Sequence, residues 1–207
     1  MSRSVTEIAG VILAGGKATR MGGGDKGLRD LGGTRLIDHV LTRLAPQCDR
    51  LAINANGAAE RFAEFALPVL PDSLPDHPGP LAGVLAGLDW AAAEGIDTIV
   101  TAAADTPFFP RDLVERLRAA AGPEGLALAG SRDTEGKLWR HPTFGLWPVA
   151  LRGDLRAALE GGLRKIVLWT DAHQAGLAEF PTQPFDPFFN VNRPEDLTEA
   201  AHLLEAL

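Results

Sequence analysis

Val11-Ile12-Leu13-Ala14-Gly15-Gly16-Lys17-Ala18-Thr19-Arg20-Met21-Gly22-Gly23-Gly24-Asp25-Lys26 is the stretch that decides the fold. An apolar strand, Ile8–Leu13, runs straight into a basic glycine loop. Its unbroken apolar character is that of a parallel strand covered on both faces. Five of the ten residues from Gly15 to Gly24 are glycine, and Lys17, Arg20 and Lys26 punctuate the run. Glycine lets backbone amides approach a ligand and reach positive φ. Successive amides in such a turn form an anion-binding concavity. Cations among those amides point to a polyphosphate, that of a nucleotide.

Outward from this loop, strand and helix alternate. Helical spacing over Arg35–Leu44 ends at Pro46. Strands are expected at Leu51–Ile53, Leu67–Leu70 and Thr98–Ala102, and helices at Ala58–Phe65, Leu81–Ala93 and Asp112–Ala121. That rhythm predicts a three-layer α/β nucleotide-binding fold on a mostly parallel sheet. The second half is less regular, with strands at Leu126–Ala129 and Phe144–Pro148 and helices at Leu151–Leu159 and Pro194–Leu207. No linker or repeat divides the chain. One domain is expected, with a nucleotide half over roughly 5–125 and a second-substrate half over roughly 126–207.

The 207 residues carry 27 acidic against 20 basic side chains, a formal net charge of −7. A nucleic-acid surface normally shows a basic excess, so none is expected, and the local cations focus a small anion instead. The single cysteine, Cys48, excludes an internal disulfide and a cysteine metal cluster, and no chemical role is expected of it. No apolar run approaches the roughly 20 residues that span a bilayer, and Met1–Ser4 do not lead into a signal core. A cytoplasmic protein is expected.

Ligands of open α/β sheets bind beyond the carboxyl ends of the strands. The polar stretches fall there: Ala14–Lys26, Asn54–Asn56, Asp72–Gly83 and Asp105-Thr106-Pro107. The first is neither a P-loop, lacking lysine followed by serine or threonine, nor a dinucleotide fingerprint. Asp105, after the small residues Ala102–Ala104, is the leading metal ligand, and a hard oxygen donor facing a triphosphate implies Mg²⁺. Asn190 or Asn192 could join its shell. Asp72 reads equally as a turn cap or as an acceptor for ribose or base. Asn54 and Asn56 as isolated residues read as a turn. Gly79–Gly83 makes a tight helix entrance whose amides can face a ligand. Arg140 and His141 suggest binding of a second anionic substrate. Trp139, Trp147 and Trp169 read as packing residues.

Taken in order, these motifs resemble molybdenum cofactor guanylyltransferases. The likeness runs from Leu13–Lys26 through Asn54-Ala55-Asn56, Asp72-Ser73 and Pro78–Gly83. It continues at Asp105-Thr106-Pro107, His141-Pro142-Thr143 and Phe189–Asp196, nearly the whole chain. The resemblance implies a fold like that of nucleotide-diphospho-sugar transferases. It implies transfer of GMP from GTP to the terminal phosphate of molybdenum-bound molybdopterin, with Mg²⁺ and release of pyrophosphate. By residue match it implies nucleotide contacts from Leu13, Ala14, Gly15, Gly16, Lys26, Asn54 and Asp72. It makes Asp105 the magnesium and nucleotide ligand and gives Arg20, Lys26 and Asp105 the catalytic charge. Arg140, His141, Asn190 and Asn192 fall on the pterin side. Transient contacts with cofactor delivery proteins or molybdoenzymes follow, with no membrane partner. Two departures stand out: Ala104 replaces a cysteine found in some relatives, and one aspartate stands where many glycosyltransferase-like relatives have two. A CTP-dependent cytidylyltransferase or a sugar-phosphate nucleotidyltransferase is the alternative, although Gly15-Gly16 fits the guanylyl branch.

Overall fold

A computed structural model describes residues 7–15, 25–74 and 79–205. Its elements in chain order are β1 (Ile8–Leu13), β2 (Asp30–Leu31), β3 (Thr34–Arg35), α1 (Leu36–Leu44), β4 (Arg50–Asn54), β5 (Val69–Leu70), α2 (Pro80–Ala93) and β6 (Thr98–Ala103). Then follow α3 (Leu113–Ala120), β7 (Ala127–Arg132), β8 (Leu138–Pro148), α4 (Arg152–Glu160), α5 (Ile166–Ala172), β9 (Gly176–Phe180) and α6 (Pro194–Glu205).

Seven strands form one sheet in the order β5-β4-β1-β6-β8-β7-β9. β1 pairs in parallel with β4 and β6, β4 with β5, and β7 with β9. Only β8 runs against its neighbours. Alternation along β1 explains the layers: Ile8 and Ile12 face α1 and α3, whereas Ala9 and Val11 face α2, α4 and α5. α2 is apolar nearly all round because it is buried, from Leu81 to Leu88 without a break. Glycine at position 87 is what lets it lie this close to the sheet, since a Cβ there would come within 2.8 Å of Val11 and 2.9 Å of Ile99.

The expected α/β order holds through the first 120 residues, with ends moved by a residue or two. Ala59–Phe65 is 3₁₀ and not α-helix, closed by Ala66 at φ 51°. The second half departs further from the expected elements. β8 begins at Leu138, six residues before the expected Phe144, and it is irregular opposite Leu128 and Ala129. Pro142 lies in that irregular stretch, where a strand can lose a ladder bond. α5, β9 and the hairpin β2–β3 were not expected at all. α5 is held by a polar clasp: His173 lies between Glu124 (2.6 Å) and Asp154 (2.9 Å), and Trp169 Nε1 donates to the same Asp154 at 2.7 Å. Trp147 folds back over Gly145 and donates to buried Thr101 at 2.8 Å, which makes it a packing residue, as is Trp169. Burial pushes the Cys48 thiol up to about 12, which disfavours the reactive thiolate.

A third apolar cluster decides where the site lies. Val191 and Ala200 pack with Leu31, Leu36 and Phe108. The C-terminal segment thereby returns to the hairpin that follows the glycine loop. Among the described residues no helix is long and apolar enough to cross a membrane.

Candidate active site

β1 lies between β4 and β6, so the chain leaves β1 toward one edge and later resumes on its other side. The crevice between the carboxyl ends of β1 and β6 is the switch point at which such sheets bind ligands. Backbone bonds bring the loops together there. Ala104 N–H donates to Leu13 O at 3.1 Å, and Ala14 N–H donates to Asn54 O at 2.8 Å. The returning loop lies directly on Ala104, for a Cβ at Gly27 would meet the Ala104 methyl at 2.9 Å. A small residue at position 104 therefore serves close approach.

That approach sets Lys26 beside Asp105. Lys26 Nζ is 3.4 Å from Asp105 Oδ2 and donates to Asn192 Oδ1 at 2.6 Å. A lysine ammonium has donors only, so the Asn192 carboxamide must present its oxygen. Asn192 is held for this by two backbone bonds. Val191 N–H donates to Asp105 O at 2.9 Å, and Asn192 N–H donates to the Asp196 carboxylate at 2.7 Å. Asp196 also accepts from Arg193 N–H at 2.8 Å, so an acid in the first turn of α6 reaches back and fixes the helix start. Burial raises the Asp105 carboxyl above its ordinary range, against the lowering effect of Lys26.

This shift has a sign that can be measured. A raised folded-state value means that the unfolded carboxyl ionises first as pH rises. Ionised Asp105 therefore costs folding stability, a cost that sets in above roughly pH 4 and is complete above the raised folded value. Asp105→Asn should melt at a higher temperature than the parent protein at pH 7, and the gap should vanish toward pH 3. A lower melting temperature at pH 7 would show that the Lys26 contact outweighs burial.

The second group gathers at the end of β4. Asn54, 3% exposed, spends both amide protons inside the protein, on Leu70 O (3.0 Å) and Asp72 Oδ1 (2.9 Å). Asn56 donates to Asp72 Oδ2 at 2.6 Å and accepts from Asp72 N–H at 2.9 Å. Asp72 is thus held by two carboxamides, and Asn54 and Asn56 do far more than make a turn. Arg61 was not singled out from the sequence. Its guanidinium donates to Asn56 O at 2.6 Å and pairs with Asp25 at 2.8 Å, joining this group to the end of the glycine loop. An arginine in a short polar helix carries no local signal of that position. Of the backbone candidates, Ala14 is buried and Gly15 is exposed beside Asn54.

The sequence-derived site residues therefore divide. Leu13, Ala14, Gly15, Asn54 and Asp72 meet at β1 and β4, and Lys26, Asp105 and Asn192 at β1 and β6. Gly16 and Arg20 lie outside the described residues, as do Lys17 and Pro78. The four pterin-side residues do not form one group. Asn192 joins Lys26 and Asp105, and Asn190 is exposed. Arg140 pairs with Asp171 of α5. His141 stacks on Phe188 at 4.2 Å with its Nε2 2.7 Å from Ser131 Oγ, and burial lowers its pKa despite nearby Asp186. Such an imidazole is built into packing and is poorly suited to hold an anion by charge.

Comparison with known proteins places the chain in a family. Residues 10–175 match the MobA-like NTP transferase domain. A molybdenum cofactor guanylyltransferase of Nitrobacter hamburgensis is 48% identical over 206 residues, 98% of this chain and 97% of that protein. Its counterpart in Bradyrhizobium is 50% identical over 207 residues, 98% and 95% of the two chains. Among solved structures, molybdopterin-guanine dinucleotide biosynthesis protein A of Archaeoglobus fulgidus has a TM-score of 0.71 at 23% identity, covering 96% of this chain and 100% of that one. A Bacillus anthracis protein described as a putative glucose-1-phosphate thymidylyltransferase has a TM-score of 0.72 at 15% identity, covering 97% and 96%. These two show the likeness of fold alone.

Proposed function

This chain belongs to the molybdenum cofactor guanylyltransferase family of MobA-like NTP transferases, and from that premise we propose that it transfers GMP from GTP to the terminal phosphate of molybdenum-bound molybdopterin. It is a nucleotidyltransferase. A phosphate oxygen of the pterin attacks the α-phosphorus, the bond from that phosphorus to the β-phosphate bridge breaks, and pyrophosphate leaves. The attacking group has a second pKa near 6, by analogy with other phosphate monoesters, and is largely ionised at neutral pH. No strong general base is needed. Catalysis consists of positioning two anions and balancing charge at the α-phosphorus.

The observation that carries this reading is the Lys26–Asp105–Asn192 group at the switch point, beside the Asn54–Asp72 group. Lys26, with Arg20 of the glycine loop, supplies positive charge to the triphosphate. Asn54 and Asp72, with the Leu13–Gly16 backbone, bind the nucleoside. The donor set suits Mg²⁺: a half-buried carboxylate and a carboxamide oxygen, both hard donors, face one cation. Asp105 and Asn192 would hold it. When bound, Mg²⁺ would neutralise charge on the α-phosphate and the departing pyrophosphate. We place GTP against the half before residue 125 and the pterin against the half after it, with Asn192 reaching into the nucleotide side. Transient contact with a cofactor delivery protein or a recipient molybdoenzyme, in the cytoplasm, belongs to the same reading.

Nucleotide choice should favour GTP over CTP and ATP. Purified protein, molybdenum cofactor and Mg²⁺ are incubated with each nucleotide at matched concentration, and dinucleotide product is quantified. Faster turnover with CTP would move the chain to the cytidylyl branch. Absence of product with all three would overturn the reading.

A further inference from the structure

Lys26 is placed where a metal ion would compete with it. Its ammonium contacts two side-chain oxygens at the crevice, Asp105 Oδ2 at 3.4 Å and Asn192 Oδ1 at 2.6 Å. The two oxygens come from segments far apart in sequence and are brought together by the Val191–Asp105 backbone bond. The Asp196 carboxylate then fixes Asn192 from below by accepting its N–H. The backbones that carry the two acceptors are therefore held in place by the fold before any ligand arrives. Lys26, by contrast, extends from the end of the glycine loop on a stem with four rotatable carbons, and its three donors are indifferent to which oxygens they meet.

The geometry points to a cation cradle, Asp105 Oδ2 with Asn192 Oδ1, that the chain closes with its own Lys26 until a nucleotide triphosphate draws the ammonium away. Asn192 is then a positioning residue for Lys26 in the ligand-free enzyme and an oxygen donor to the divalent cation afterwards. The inference rests on the reading that Asp105 holds that cation. One acid neutralised by one lysine leaves little net attraction for a free divalent ion. A triphosphate offers the ammonium several charged oxygens in exchange for one carboxylate and one amide. Nucleotide and metal should therefore arrive together, and the metal alone should bind poorly. This arrangement also keeps a half-buried carboxylate from standing alone between turnovers, which would be costly.

Binding of Mn²⁺, without nucleotide, tests the point by calorimetry or by the electron paramagnetic resonance signal of the free ion. Three proteins are compared: the parent, Lys26→Met, and Lys26→Met combined with Asn192→Ala. Thermal melting of each shows that it is folded, and Lys26→Gln replaces Lys26→Met if the latter is not. Removing a positive charge within about 4 Å of the ligand oxygens should tighten Mn²⁺ binding at least about tenfold, and losing the Asn192 oxygen should reverse most of that gain. Equal or weaker Mn²⁺ binding by Lys26→Met overturns the inference, as does a gain that Asn192→Ala leaves intact. GMP transfer by the parent protein is measured alongside. Transfer with no effect of Lys26 on Mn²⁺ binding defeats the cradle alone, whereas tighter Mn²⁺ binding by Lys26→Met without transfer defeats the proposed reaction and leaves the cradle standing.

Discussion

Replacing Asp105 by alanine should reduce GMP transfer at least about 100-fold, the scale of losing a strong electrostatic stabiliser of the transition state, while the fold survives. Two features separate the loss of chemistry from a loss of structure. The backbone at position 105 is held independently of the carboxylate, through Val191 N–H on Asp105 O and Ala104 N–H on Leu13 O. The carboxylate itself is a burden to the folded state, since burial raises its pKa above the ordinary range. Lys26 loses one contact but keeps Asn192 Oδ1 at 2.6 Å and partial access to water. Single-turnover transfer, measured beside thermal unfolding, should show a rate collapse with an unchanged or higher melting temperature. Near-parental transfer in a folded Asp105→Ala protein would remove Asp105 from the reaction and leave the raised pKa as a by-product of packing. A collapse of both rate and melting temperature would mean that the carboxylate holds the crevice together.

The same residue illustrates what the sequence could convey. Asp105 is legible because it follows a strand of small and apolar residues at a carboxyl end, where the fold class alone puts ligands. The parallel half is legible for a related reason: strands such as Ile8–Leu13 and Thr98–Ala103 are buried on both faces and read as continuous apolar runs. β9 carries the alternating, half-exposed stretch Gly176–Phe180 at the sheet edge, too short and too polar at Glu179 to stand out. In the early part of β8, Trp139 and Arg140 are both exposed and no buried face alternates, so its strand character comes from pairing with β7. α5 has only seven residues and owes its place to the His173 and Trp169 contacts with Asp154. The position of Asn192 beside Lys26 depends on α6 packing against Leu31 and Leu36, a contact across most of the chain. No local pattern encodes a pairing at that separation. His141 shows the converse: its neighbours in sequence are basic and polar, but in space it stacks on Phe188, whose ring in turn packs against Phe144 and Phe180.

Gly83→Ala should weaken GTP binding about ten- to a hundredfold, a larger effect than one added methyl group suggests. From the sequence, Gly83 belongs to a tight helix entrance. In the fold it is the floor beneath Asn54. A Cβ at position 83 would stand 2.1 Å from Asn54 Oδ1 and 2.8 Å from its Cγ, with Leu13 Cδ2 at 3.1 Å on the other side. Asn54 has nowhere to withdraw, because it is buried and both its amide protons are committed to Leu70 O and Asp72. Relief at the Asp72 bond removes one of the two carboxamides that hold the Asp72 carboxylate at the crevice. Loss of a hydrogen bond to a charged group is worth about 1.5–3 kcal/mol, and each 1.4 kcal/mol is about a factor of ten in affinity. Stability should fall as well, by the roughly 1–3 kcal/mol typical of an overpacked core position, so a control of equal steric kind is needed. Gly87→Ala provides it: one turn further along α2, its Cβ would press on Val11 and Ile99, apolar side chains of β1 and β6, and not on Asn54. Both variants should melt earlier, and only Gly83→Ala should lose GTP affinity by calorimetry. If Gly83→Ala binds GTP as the parent does, Asn54 and Asp72 are a structural brace for the β4 end and the nucleoside is held elsewhere. If Gly87→Ala loses affinity equally, the effect is general loosening of α2 and says nothing of Asn54.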